Sequence, residues 1–246
     1  SSELYNLDKD SYSVQSAFFD YDLDGDLDLY LANHPNPSWT GENFEQFKLE
    51  EKKGNRQTDF FFENIDGNFI DKTKESGLRN FGYRHGIAVG DLNNDYYPDL
   101  YVSSDFDHSD LLYINNGNKS FTNSANNQLN HMSYSSMGND MADINNDGLS
   151  DIFVVDMASS NHYSSKVNMK SMNTPKFNSL VENGYHYQYM LNTLHINKDN
   201  NMFSEIAQLS GIGKTDWSWA PLFFDIDLDG KKDLYITNGV KKNWTY

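Results

Sequence analysis

The stretch Asp20–Asn33, DYDLDGDLDLYLAN, places five aspartates within nine residues and then runs straight into an apolar segment. Carboxylates this close repel one another, so a folded chain holds them together where a cation sits among them or where the loop stays hydrated. Three further stretches share the register: DLNNDYYPDLYVSS from Asp91, DINNDGLSDIFVVD from Asp143 and DIDLDGKKDLYITN from Asp225. In all four, Asp or Asn holds relative positions 1, 3, 5 and 9, and a short apolar run follows. Solvated Asp/Asn/Gly turns are common between strands, but solvation gives no reason to keep one register four times.

The donors in this register are hard oxygens, without His or thiolate. That favours calcium, which accepts six to eight oxygens in a forgiving geometry, over magnesium, which wants a smaller octahedral shell. Positions 1, 3 and 5 wind around the ion, position 7 offers a backbone carbonyl and position 9 returns a carboxylate. Gly25, Gly148 and Gly230 fill position 6, where the chain turns sharply. An EF-hand would need a bidentate Glu at position 12, and that place holds Leu31, Val102, Val154 and Ile236. The loops at Asp20 and Asp225 each offer four carboxylates, whereas Asn93 and Asn145 leave three in each of the others. The loop at Asp91 also carries Tyr96 at position 6 and is expected to be the weakest of up to four calcium sites. Four calcium ions would take the formal charge from -17 to -9, which couples binding to folding.

Around each loop the sequence reads as strand, acidic loop, strand, hairpin. SVQSAFF and LDLYLAN flank the first loop, and DFFFEN, the turn IDGN and FIDKT supply its hairpin. First aspartates are 71, 52 and 82 residues apart, and polar inserts at 34–58 and 158–185 account for the longer intervals. Units of this size predict an all-β fold, a β-propeller of four-stranded blades over 1–246, with units at about 11–78, 79–130, 131–212 and 213–246. The last unit stops after half a blade, so the chain reads as a segment of a longer propeller, and its opening SSEL reads as a trimmed beginning.

Composition narrows the function. Acids outnumber bases 36 to 19, and no basic stripe appears, which argues against nucleic acid as a partner. There is no apolar run of transmembrane length and no cysteine, so no disulfide framework or thiol nucleophile is available. The seven histidines (34, 85, 108, 131, 162, 186 and 195) show no short metal-binding spacing. No nucleophile elbow, phosphate loop or dinucleotide fingerprint is present, so no catalytic residue is assigned. Trp217 and Trp219 alternate in KTDWSWAP and read first as packing between blades, second as a stacking platform; Trp39 in the first insert is a further ligand-contact candidate. Asn118 and Asn243 lie in N-x-S/T sequons.

The loops followed by DLYLAN or DLYITNG, with FFFENIDGNFIDKTKESGL between them, closely resemble FG-GAP/VCBS-type repeats. More narrowly, they resemble the cartilage-acidic-protein-like and ASPIC/UnbV-associated repeat proteins of Bacteroidota. The resemblance implies a propeller related to the integrin alpha-subunit head, with calcium between the first and second strands of a blade. Carried over by position, it implies four ligand sets. The first two are Asp20, Asp22, Asp24 and Asp28, and Asp91, Asn93, Asp95 and Asp99. The other two are Asp143, Asn145, Asp147 and Asp151, and Asp225, Asp227, Asp229 and Asp233. The carbonyls of Asp26, Tyr97, Leu149 and Lys231 would complete them. Such proteins are commonly secreted or surface-attached. The function expected is therefore a non-catalytic protein-interaction or scaffold module at an extracellular, periplasmic or outer-membrane surface. A carbohydrate-binding module is the alternative, and a polysaccharide-processing hydrolase is a third reading.

Overall fold

The computed structural model describes residues 7, 11–35, 58–105, 108–167, 173–199 and 202–239. The chain divides into two compact units, one of Ser1–Val102 with Leu111–Ser124, the other of Ser103–Asp110 with Ala125–Tyr246.

The first sheet runs in chain order through β1 (Tyr12–Phe19), β2 (Asp28–His34), β3 (Phe60–Ile65) and β4 (Asn68–Asp71), all antiparallel. β1 is an edge strand with most residues exposed, while β2 lies between two neighbours and is largely buried. The second sheet repeats the order with β5 (Tyr83–Gly90), β6 (Asp99–Asp105), β7 (Leu111–Asn115) and β8 (Phe121–Asn123). Every residue of β6 is buried, which a strand covered on both faces requires. The first unit's core joins the two sheets through Phe19, Tyr30, Phe61, Leu100 and Phe121 around Tyr21. Phe61 is fully buried, and removing such a side chain from water stabilises the fold by about 1.5–3 kcal/mol.

In the second unit a short helix, α1 (Ala125–Gln128), leads to β9 (Met132–Ser133) and β10 (Ser136–Ala142). The third four-stranded sheet orders β10, β11 (Asp151–Asp156), β13 (Thr193–Asn197) and β14 (Phe203–Glu205). Between β11 and β13 lie α2 (His162–Val167), α3 (Thr174–Glu182) and β12 (Gln188–Tyr189), the last pairing in parallel with β9. The insert expected as polar loop at 158–185 thus carries two helices. Asn173 caps α3 by accepting the Lys176 N–H, and Pro175 sits in the first turn, where its missing N–H costs nothing. β15 (Ser218–Phe224) and β16 (Asp233–Asn238) form a final two-stranded sheet.

Among the described residues no sheet closes into a barrel or a propeller. The β-propeller expected from the repeat is therefore corrected to an all-β fold in which the described residues form three separate four-stranded sheets and two two-stranded ones. The repeat fixes what happens inside a sheet. Closure depends on packing between sheets, which no local period specifies.

A recurring polar contact closes the end of each four-stranded sheet away from its loop. The residue before strand three accepts an N–H from the end of strand two: Asn33 N–H to Asp59 Oδ1 at 2.9 Å, Ser104 N–H to Asp110 Oδ1 at 2.7 Å, and Asp156 N–H to Asn192 Oδ1 at 2.8 Å. Asp59 is fully buried, receives the Tyr30 hydroxyl at 2.7 Å and lies 3.6 Å from Arg84 Nε, so its charge has a partner.

Candidate metal centre

Each acidic loop begins with a carboxylate that gathers backbone donors. Asp20 accepts the N–H groups of Asp24 and Gly25, Asp143 those of Asp147 and Gly148, and Asp225 those of Asp229 and Gly230. Asp91 does the same with Asp95 and Tyr96, at 3.3 and 2.8 Å. Position 5 then accepts the N–H of position 7: Asp24 from Asp26, Asp95 from Tyr97, Asp147 from Leu149 and Asp229 from Lys231, each at 2.9 Å. The coil that aims these N–H groups inward needs two left-handed residues per loop. Position 6 supplies one, Gly25, Gly148 and Gly230 at no steric cost and Tyr96 at φ 72° with strain of about 1–2 kcal/mol. Position 4 supplies the other, at Leu23, Asn94, Asn146 and Leu228. The sequence reading missed position 4, because a leucine gives no sign of positive φ.

Position 9 does a job that its spacing does not announce. Asp28, Asp99 and Asp151 are buried at the first residue of β2, β6 and β11. In each, Oδ2 accepts the N–H of loop position 2 (Tyr21, Leu92 or Ile144), and Oδ1 accepts an N–H from strand three (Asn64, Asn115 or Asn197). The same Asn closes the circle. Its Nδ2 donates to the carbonyl before position 9 (Leu27, Pro98 or Ser150), and its Oδ1 accepts an N–H of the hairpin turn (Gly67, Gly117 or Asp199). Loop, strand and hairpin are thereby stapled by one Asp and one Asn. The signal lies in FEN, YIN and HIN, three residues that precede each hairpin turn. Asp233 lies at the start of β16 and accepts the Ile226 N–H at 3.0 Å.

Burial pushes the Asp28 carboxyl up to about 6 and Asp99 up to about 7, in both cases against two backbone donors that pull it down. Asp151 is raised for the same reason. A cation beside these groups would favour their ionised form.

The structure brings together two of the four expected ligand sets most closely. Asp20, Asp22 and Asp28 offer carboxylate oxygens within 4.8 Å of one another, as do Asp225, Asp227 and Asp229. Asp24 and Asp233 stand outside those two groups, and the carboxylates of the other two loops do not converge to that distance among the described residues. There Asn93 Nδ2 donates to Asp95 and Asn145 Nδ2 to Asp147, both at 2.9 Å. The donor chemistry fits a hard divalent cation: each cage is all oxygen, and its carboxylates keep lone pairs beyond those used on backbone N–H groups. A bound calcium ion would supply charge neutralisation and cross-linking of the loop.

The other candidate residues fall elsewhere. Trp217 precedes β15 and is half-buried, and the register shift between Ser218 and Ala220 places Trp219 in a bulge, 42% exposed. Trp39 and Asn243 lie outside the described residues. His195 is fully buried with neither ring nitrogen hydrogen-bonded, and burial lowers it to about 3. His131 Nε2 lies 3.4 Å from Glu205.

Residues 97–154 match the FG-GAP-like repeat family. The match runs from the end of the second loop through β6–β8 and the third loop into β11 and is consistent with a repeat-family member in general. No curated protein matches the chain. No helix among the described residues is long and apolar enough to cross a membrane.

Proposed function

We propose that the chain is a calcium-binding repeat module that acts as a protein-interaction or scaffold surface outside the cytoplasm, with one ion for each acidic loop at the positions carried over above. The observation that carries this reading is the convergence of three carboxylate oxygens within 4.8 Å in the loops at Asp20 and Asp225, on a loop coil that recurs four times. The repeats at about 11–78, 79–130, 131–212 and 213–246 are its structural units. Extracellular calcium, at millimolar levels, suits sites of this openness.

Exposed apolar side chains on β1, β15 and β16 support the interaction role. Tyr12, Val14 and Phe18 on β1 are 44–55% exposed, and Leu222 and Tyr235, paired across β15 and β16, are 51% and 57% exposed. Calorimetric titration of chelator-treated protein tests the metal reading. Asp20→Ala and Asp225→Ala should each lower the calcium stoichiometry by one, and unchanged stoichiometry in both would reject those loops as sites. Carbohydrate binding at the exposed Trp219 is the second reading; glycan binding lost in Trp219→Ala with calcium binding intact would favour it.

A further inference from the structure

The first loop holds a cation of the chain's own. Lys119, in the β7–β8 hairpin, reaches across to the loop at Asp20, with Nζ 2.6 Å from Asp22 Oδ2 and 2.5 Å from Glu63 Oε1. Its ammonium also lies 5.9 Å from the centre of the Tyr21 ring, whose hydroxyl donates to the same Glu63 oxygen at 3.1 Å. The Asp22 side chain is 6% exposed, and both its oxygens are shut off from water. Lys119 is the charged partner that Asp22 has, as an ion pair. Asp22 is position 3 of the loop and one of the three residues whose oxygens converge.

The other loops solve the same repulsion differently. At Asp91 and Asp143, position 3 is Asn, and its amide N–H donates to the carboxylate at position 5. At Asp225, position 3 is Asp227, and the ion pair found at this loop among the described residues is that of Lys231 with Asp229, at 3.9 Å, with the lysine 76% exposed. The loops at Asp20 and Asp225 have identical ligand residues at positions 1, 3, 5 and 9, yet among the described residues the first carries an ion pair between position 3 and a lysine that is 57% exposed, and the second carries none at position 3. Buried Asp22 without a counter-charge would be costly, since an uncompensated buried charge destabilises far more than an exposed one.

We propose that the Lys119 ammonium is a tethered cation that occupies the first loop, and that a divalent ion binds there by displacing it from Asp22. Lys119 thereby sets the affinity of this loop and couples its filling to the β7–β8 hairpin. The proposal rests on the reading of the loops as divalent-cation sites. Placing a doubly charged ion next to Asp22 while an ammonium stays 2.6 Å away would set like charges against each other, so the lysine must leave. Its departure gives up contacts with Asp22 and Glu63, which lowers the net affinity.

The test is calorimetric calcium titration and thermal unfolding of the whole chain, comparing wild type with Lys119→Met and Lys119→Arg. Lys119→Met should bind calcium at one site about tenfold more tightly, about 1.4 kcal/mol. It should also melt lower than wild type in chelator and gain more from calcium. Lys119→Arg, which keeps the charge, should stay closer to wild type in both readouts. In an Asp20→Ala background the affinity gain from Lys119→Met should vanish, which assigns the effect to this loop. Equal calcium affinities in wild type and Lys119→Met overturn the proposal while leaving the loops as calcium sites. No calcium binding by any of these proteins overturns the proposal and the underlying reading together. A gain that persists in Asp20→Ala overturns the assignment of Lys119 to the first loop.

Discussion

Replacing Asp99 by Ala separates a ligand role from a structural one at position 9. Asp99 is fully buried, with Oδ2 accepting the Leu92 N–H at 2.8 Å and Oδ1 the Asn115 N–H at 2.7 Å. Truncation leaves two backbone donors without acceptors. A buried donor left unsatisfied costs about 1–3 kcal/mol, so the pair costs about 2–6 kcal/mol. That is a large share of the roughly 5–15 kcal/mol that holds a whole domain together. Asp91, position 1 of the same loop, accepts its N–H bonds where water can replace it, so Asp91→Ala should cost about 0.5–1 kcal/mol in the absence of metal. Urea unfolding in chelator at pH 8 reads the difference, a condition under which a carboxyl pushed up to about 7 is mostly ionised. Asp99→Ala should lower the midpoint by about 1–2 M, and Asp91→Ala should barely move it. Equal, mild effects in chelator would refute the staple and leave position 9 as a ligand alone.

Tyr96 holds φ 72° with 84% of its surface exposed, so Tyr96→Gly relieves strain while losing little packing. A net gain of about 0.5–1 kcal/mol after glycine's entropic cost should raise the melting temperature by a few degrees; a lower one would contradict the strain. Asn115→Ala removes donation to the Tyr21 and Pro98 carbonyls and acceptance from Gly117. It should destabilise by about 2–3 kcal/mol in denaturant, and a loss under about 0.5 kcal/mol would argue against the hairpin lock. Burial raises Asp156 to about 7, above its ordinary value of 3.8. Its contribution to stability is therefore full below pH 4 and declines as pH rises through 7. Asp156→Asn cannot ionise, so wild type should lose stability relative to the variant between pH 4 and 7 in chelator, by at most roughly 4 kcal/mol, and level off above that. Parallel melting curves across that range would reject a raised Asp156.

The strands and loops were legible because both rest on local pattern. Alternating apolar residues in LDLYLAN or DLYITNG specify a strand, and the Asp/Asn register specifies where the chain coils. What the sequence concealed is long-range. Nothing near Asp28 says that its carboxylate will accept the N–H of Asn64, thirty-six residues on. Nor does anything near Asp22 point to Lys119, which arrives from another sheet's hairpin. Expected closure into a propeller failed for the same reason, since sheet identity is local and sheet-to-sheet assembly is not. The alternation of Trp217 and Trp219 assumed an unbroken strand, and the bulge at Trp219 interrupts it. The helices within the second insert were readable in part: Asn173 followed by Thr174 and Pro175 is a capping signal that polarity obscured.

Calcium held in the acidic loops, as proposed, would stabilise the folded chain selectively over magnesium. Thermal unfolding of chelator-treated protein, with calcium titrated in and magnesium run in parallel, tests it most directly. A large rise in melting temperature that saturates with calcium, and a much smaller one with magnesium at the same concentration, is the predicted result. Melting that is indifferent to both ions would contradict the account and return the loops to hydrated turns held by their own backbone donors.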